Sequence, residues 1–278
     1  RKCIEQSANV CSVKKYTEIT PKVGLQYLID NFKFTTLDPV NDSGQATALG
    51  GLTNGVYNIE LTAAYASIAN KGVYTEPILY THIYDNNGNL LYENTAATHT
   101  AMKDSTAALI TSAMEDVVKY GTGGTARLSN MTCAGKTGTT NDDYDRWMCG
   151  FTPYYSAATW YGYDENRTVR GWGTNPAGLI FSSVLDSAHE GLEGKRFSDT
   201  KPDGVVTATV CKDSGLLVTD ECKKDERGSR AYTEYFVKGT VPTKKCDCHV
   251  KVEICKETGL LANEFCEEKE EKVFITRK

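Results

Sequence analysis

The chain has 278 residues, 40% of them hydrophobic and 24% charged, with a formal net charge of −5. That is enough for one large globular domain, or one plus a small appendage. The mild acidity gives no electrostatic case for nucleic acid or an anionic membrane surface, no apolar run approaches the roughly 18–20 residues of a membrane span, and no signal peptide opens the chain.

The pattern predicts helix over residues 10–33, interrupted at Thr20-Pro21, where a cap and a first helical position suit those residue types. Thr35 to Gly55 reads as loop, punctuated by Asp38-Pro39, Asp42-Ser43-Gly44, Gly50-Gly51 and Asn54-Gly55. An alanine-rich helix is expected from Ile59 to Asn70, stopping at Asn70-Lys71-Gly72. Ile78 to Tyr84 and Leu90-Leu91-Tyr92 read as the arms of a hairpin. A further helix is expected over 105–118. Three closely spaced strands, 131–140, 146–152 and 156–163, then suggest an antiparallel meander. Helices beside such a sheet make an α+β layered domain.

The character changes near residue 205. Cys211-Lys-Asp-Ser-Gly-Leu-Leu-Val-Thr-Asp-Glu-Cys222 is echoed by Cys255-Lys-Glu-Thr-Gly-Leu-Leu-Ala-Asn-Glu-Phe-Cys266, at a period of 44. The two copies read as a duplicated unit. The expected organisation is therefore one domain over 1–205 and a Cys-rich extension over 206–278. Of ten cysteines, Cys3, Cys11, Cys133 and Cys149 are scattered through the first 150 residues, and the remaining six follow residue 210. That bias suggests a small extracytoplasmic tail stapled by disulfides. Equal spacing favours pairs Cys211–Cys222 and Cys255–Cys266, with the other connectivities open. Cys246-Asp247-Cys248-His249 has donors for part of a zinc site, but not in a standard finger spacing. Disulfides account for the cysteines as well, so no metal is assigned.

The residues richest in chemistry are Lys136-Thr137-Gly138-Thr139 and Ser7-Ala8-Asn9. Strand alternation would put Thr137 and Thr139 on one face and Lys136 on the other. An ammonium and two hydroxyls on a strand edge make a receptor for a small carboxylate, and Gly138 permits close approach to the backbone. The edge position would leave the Thr139 N–H for an oxyanion. As a bare tetrapeptide, Lys-Thr-Gly-Thr is equally a strand running into a turn. Ser7 alone would be a helix cap.

The surrounding segments sharpen the reading. They are Leu49-Gly50-Gly51-Leu52-Thr53-Asn54-Gly55-Val56, Glu60 to Ala66, Asn70-Lys71-Gly72-Val73-Tyr74, Gly121-Thr122-Gly123, Asp145-Arg146-Trp147, Gly150-Phe151-Thr152-Pro153 and Trp160-Tyr161-Gly162-Tyr163-Asp164. Over residues 3–205 the chain resembles the transpeptidase domain of class A (bifunctional) penicillin-binding proteins of Gram-positive bacteria. The tail, with Tyr235-Phe236-Val237-Lys238-Gly239-Thr240-Val241-Pro242-Thr243 and Cys246, resembles extensions of some of these proteins.

The resemblance implies a serine β-lactamase-like α+β fold and a peptidoglycan D,D-transpeptidase. Such an enzyme joins stem peptides ending in D-Ala-D-Ala through a serine acyl-enzyme and is the target of β-lactams. It implies catalytic roles for Ser7, Asn9 and Lys136 and carboxylate binding by Thr137, Gly138 and Thr139. No cofactor is implied. The nucleophile motif, S-x-x-K, should lie tens of residues before S-x-N, yet six residues precede Ser7. Ser12-Val13-Lys14-Lys15 and Ser198-Asp199-Thr200-Lys201 fit the string but lie in the wrong places. The nucleophile is therefore expected on a companion N-terminal chain, together with a glycosyltransferase domain and a membrane anchor. The expected location is the outer face of a Gram-positive cell membrane. A D,D-carboxypeptidase, or a non-catalytic cell-wall binding module, is the alternative.

Overall fold

The computed structural model describes residues 1–169, 173–200 and 202–276. The chain divides into two compact units, Arg1–Pro202 and Asp203–Lys278.

In the first unit, α1 (Lys2–Glu5), α2 (Asn9–Ile19) and α3 (Pro21–Phe32) lead the chain. Pro21 takes the first position of α3, where its missing N–H costs nothing. α4 (Asn58–Ala69) follows the loop, which contains a short 3₁₀ turn at Gln45–Leu49. β1 (Val73–Thr75) pairs with β4 (Thr98–Thr100), and between them β2 (His82–Tyr84) pairs with β3 (Leu90–Glu93). The hairpin is thus shorter than expected on its first arm, the strand pairing beginning at His82, with one further hydrogen bond from the Asn94 N–H to the Thr81 carbonyl at 2.7 Å. The β1–β4 pair was not legible as strands, being only three residues each.

α5 (Asp104–Tyr120) then leads to the three-stranded sheet of β5 (Ala134–Thr139), β6 (Asp145–Phe151) and β7 (Ser156–Gly162). All pairings are antiparallel and the order is β5-β6-β7, the expected meander. One face of it carries Ala134 and Phe151, against Met114 of α5 and Tyr65 and Ile68 of α4. The other carries Met148, which packs with Ala177, Phe181 and Leu185 of α6 (Pro176–Ala188). Burying both faces of a sheet between helices is the α+β layering anticipated from the sequence. α6 was missed there. Its start was marked nonetheless: Asn175 accepts from the Ala177 N–H at 3.0 Å and Pro176 sits at the first position.

The second unit is two hairpins. β8 (Val205–Cys211) pairs with β9 (Ala231–Val237), α7 (Asp220–Lys223) lying in the connection between them, and β10 (His249–Cys255) pairs with β11 (Lys269–Ile275). The two sequence copies fold alike. Cys211 and Cys255 end their strands, Gly215 and Gly259 close the turn at φ 72° and 70°, and each glycine N–H reaches its cysteine carbonyl at 2.8 Å. The expected Cys211–Cys222 and Cys255–Cys266 bridges are not formed. The sulfur of Cys211 instead lies beside the Nδ1 of His249. The bridge that does form, Cys3–Cys11, spans Ser7-Ala8-Asn9.

Candidate active site

β5 is an end strand of its sheet, and Lys136 stands opposite Cys149 on it. Sharing a face with Ala134, Lys136 points to the α4 and α5 side. Its Nζ donates to Ser7 Oγ at 2.8 Å and to the Thr137 carbonyl at 2.9 Å. Burial holds the ammonium below the ordinary lysine value of 10.5, with the electrostatic influence of Cys149, itself pushed up to about 12 by burial, acting the other way.

Ser7 is brought there by a chain of contacts. Arg1 Nη1 donates to the Ser112 carbonyl at 2.7 Å and pairs with Asp116 at 3.0 Å, tying α1 to α5. Gly121, just past α5, lies so near the Glu5 carbonyl that an added Cβ would come within 2.1 Å of it. The Thr122 N–H donates to the same carbonyl at 3.3 Å, and Thr122 Oγ1 meets Thr137 Oγ1 at 2.9 Å. The end of α5 therefore couples the Ser7 loop to β5. Ser7 itself has φ 53°, a left-handed backbone that serine seldom adopts. Sequence reasoning missed Arg1, Glu5 and Thr122, whose parts are purely tertiary. The resemblance segment Gly121-Thr122-Gly123 was their one trace.

The Thr140 N–H donates to the Asp145 carbonyl at 3.2 Å. Because pairing alternates along an antiparallel ladder, the N–H groups of Thr137 and Thr139 turn to the side of β5 that carries no strand. Thr139 is exposed. At Gly138 an added Cβ would sit 3.1 Å from Cβ of the cross-strand Trp147. Asn9 opens α2 with an exposed side chain and, among the described residues, makes no hydrogen bond to Lys136. It borders an open groove with Val10, Val13, Lys14, Thr17, Glu18 and Gln45. Ser12 is exposed on α2 beside Lys15, whose ammonium pairs with Glu18. Ser198 contacts Asp199, while Lys201 of its string lies outside the described residues. Neither serine approaches Lys136 among the described contacts.

A cation, a hydroxyl held against it, and outward N–H groups on a strand edge form a set suited to acyl transfer at a peptide carboxy terminus. Residues 1–186 match the family described as the penicillin binding protein transpeptidase domain. The chain belongs to that family, and residues 201–251 match the C-terminal domain of penicillin-binding protein 1A. Among curated relatives, penicillin-binding protein 1A of Clostridium botulinum is 36% identical over 254 residues, 91% of this chain and 30% of that protein. Penicillin-binding protein 1A/1B of Bacillus subtilis is 32% identical over 273 residues, 91% of this chain and 29% of the relative. The crystal structure of penicillin-binding protein 1A from Haemophilus influenzae superposes with a TM-score of 0.71 at 20% identity, over 88% of this chain and 40% of that one. The fold is thus the penicillin-binding transpeptidase fold. The chain spans about a third of the length of the curated relatives it matches.

Proposed function

We propose that the first unit is part of a peptidoglycan D,D-transpeptidase, holding the S-x-N and K-T-G portions of its site. The observation that carries this reading is the 2.8 Å hydrogen bond from Lys136 Nζ to Ser7 Oγ, which joins two motifs far apart in sequence. The attacking serine belongs, in this reading, to a segment of the longer protein outside these residues. Its oxygen attacks the carbonyl carbon of the penultimate D-alanine, and the terminal D-alanine leaves as its amine accepts a proton. An amine of a second stem peptide then attacks the ester and restores the serine.

Ser7 relays the proton to the departing nitrogen and from the incoming one, with Lys136 setting the local potential. The Thr139 N–H serves the oxyanion, and Thr137 and Thr139 hold the terminal carboxylate over Gly138. Asn9 hydrogen-bonds the peptide. A β-lactam enters as a mimic of the donor. The assigned place is the outer face of a Gram-positive cell membrane, reached by an anchor elsewhere in the longer protein; among the described residues no helix is long and apolar enough to cross a membrane.

Labelling with a fluorescent penicillin tests the reading. With the companion segment bearing Ser-x-x-Lys present, label is expected on that segment, and Lys136→Ala should slow acylation roughly 100–1,000-fold. An adduct on Ser12 or Ser198, or an unchanged rate in Lys136→Ala, would overturn it.

A further inference from the structure

The second unit has few apolar side chains to build a core from. Its buried hydrophobic positions are Val205, Val210, Ile254 and Val273, together with Cys211, Cys222, Cys246 and Cys255. Two-stranded hairpins are marginal on their own, and small units of this size commonly need a disulfide or a metal as a staple. None of those cysteines is bridged.

Four donors converge in this unit. Cys211, Cys246, Cys248 and His249 each offer a ligand atom, and the four atoms lie within 4.8 Å of one another. The Nδ1 of His249 is 3.5 Å from Cys211 Sγ, 3.3 Å from Cys246 Sγ and 3.5 Å from Cys248 Sγ. Cys246 Sγ and Cys248 Sγ are 3.4 Å apart. A tetrahedral ion with Zn–S of about 2.3 Å and Zn–N of about 2.05 Å requires S···N edges of roughly 3.6 Å and S···S edges of roughly 3.8 Å. The three S···N edges and the Cys246–Cys248 edge are within a few tenths of an ångström of that shape, and the other two sulfur pairs lie within 4.8 Å. Thiols alone do not explain it, since a single ring nitrogen with one lone pair cannot accept protons from three sulfurs at once.

The surroundings match those of a metal ligand. The His249 side chain is fully buried, and its Nε2 faces Asp225 Oδ2 at 3.1 Å and Asp213 Oδ2 at 3.3 Å. These approaches miss hydrogen-bond geometry, so the buried Nε2 has no directed partner among the described residues. Two carboxylates thus stand behind the ring while Nδ1 is turned to the sulfurs, and a carboxylate near the outer nitrogen is common behind metal-bound imidazoles. The two aspartates are in turn held by Arg227 and Arg230, at 2.7–3.0 Å. The backbone also supports the sulfurs, with the Asp213 N–H donating to Cys211 Sγ at 3.4 Å.

We infer that Cys211, Cys246, Cys248 and His249 Nδ1 form a structural site for one thiophilic divalent cation, of which zinc is the type. The three thiols release their protons to solvent on binding, and the neutral imidazole completes a closed, four-coordinate shell with no open position for chemistry. The shell joins the end of β8 to the start of β10, so the ion would tie one hairpin to the other. The second sequence copy has Cys255 and Cys266 but no Cys-x-Cys-His after it, so one site per chain is expected. Cys222 lies beside the cluster, its sulfur against Cys211 and Cys246 and accepting from the Thr219 N–H at 3.4 Å, but it is not one of the four donors that all lie close to one another, so it stays outside the ligand set.

The test uses the whole chain, purified under reducing conditions with zinc supplied and then freed of loose metal. The expected result is one zinc per chain by elemental analysis and native mass, and a tetrahedral thiolate spectrum when cobalt replaces it. Cys248→Ser and His249→Ala should lose the metal, while Cys222→Ser should keep it. Wild-type chain that retains no metal would overturn the inference even if the variants fail to fold. So would intact masses showing Cys211, Cys246 or Cys248 oxidised into disulfides in the native protein, or zinc kept by the Cys248→Ser variant.

Discussion

Lys136 combines burial with a 2.8 Å hydrogen bond to Ser7, and its titration follows from the burial. Burial holds its folded value below that of an exposed lysine. Between the folded value and about 10.5 the unfolded chain therefore binds more protons than the folded one, and this residue's contribution makes stability rise with pH across that window. Acylation runs the other way. If the ammonium is the working form, the rate falls as pH rises through the depressed value, earlier than an ordinary lysine would dictate. A pH profile of penicillin acylation should show that limb, and Lys136→Arg, still charged, should lose it while being slower throughout. A limb that persists in the arginine variant would place the titration elsewhere. At this scale the short polar motifs marked two residues that the fold brings together, Ser7 and Lys136, while Asn9 makes no hydrogen bond to Lys136 among the described residues. The sequence was silent on Arg1, Glu5 and Thr122, because their positions depend on the packing of α1 against the end of α5.

The elements show a similar division. Long amphipathic or alanine-rich stretches such as α4 and α5 were legible, as were the three meander strands, whose hydrophobic period spans whole segments. α6 was not, since it opens on Pro176-Ala177-Gly178. Gly178 is there because an added Cβ would come within 2.0 Å of Thr125 Oγ1, a tertiary demand that dilutes the local helix signal. The α1–α5 junction makes a similar demand at Gly121. Gly121→Ala should push the Glu5 carbonyl away and cost about 1–3 kcal/mol. Thermal melts should register that loss, along with slower acylation as Ser7 leaves Lys136. The Cys3–Cys11 bridge clamps the same loop from the other side. A double Cys3→Ser, Cys11→Ser variant should lose about 2–3 kcal/mol by the loop-closure argument, seen as a lower denaturant midpoint. An unchanged midpoint would mean that α1 is held by Arg1 and Glu5 alone.

Across the whole molecule, two units with different means of support share one chain. The first has a sheet covered by helices on both faces, with the Cys3–Cys11 bridge at its leading loop. The second has two hairpins and a cluster of sulfurs. Calorimetry with and without a chelator should separate them. The transition of Asp203–Lys278 should fall on metal removal, while that of Arg1–Pro202 stays within a degree or so, as expected for independent cores. The 44-residue echo was plain in the sequence because it repeats spacing. The Cys246-Asp247-Cys248-His249 string was plain as well, but not its meeting with Cys211, which brings together two segments that share no repeat.

The left-handed backbone at Ser7 has a consequence for selection on this loop. An L-residue there works against its own conformational preference by roughly 1–2 kcal/mol, and glycine would not. Ser7→Gly is therefore the replacement that the fold tolerates best and the proposed chemistry tolerates least. A melting point near that of the parent, with acylation lost, would mark a position where robustness and turnover pull in opposite directions.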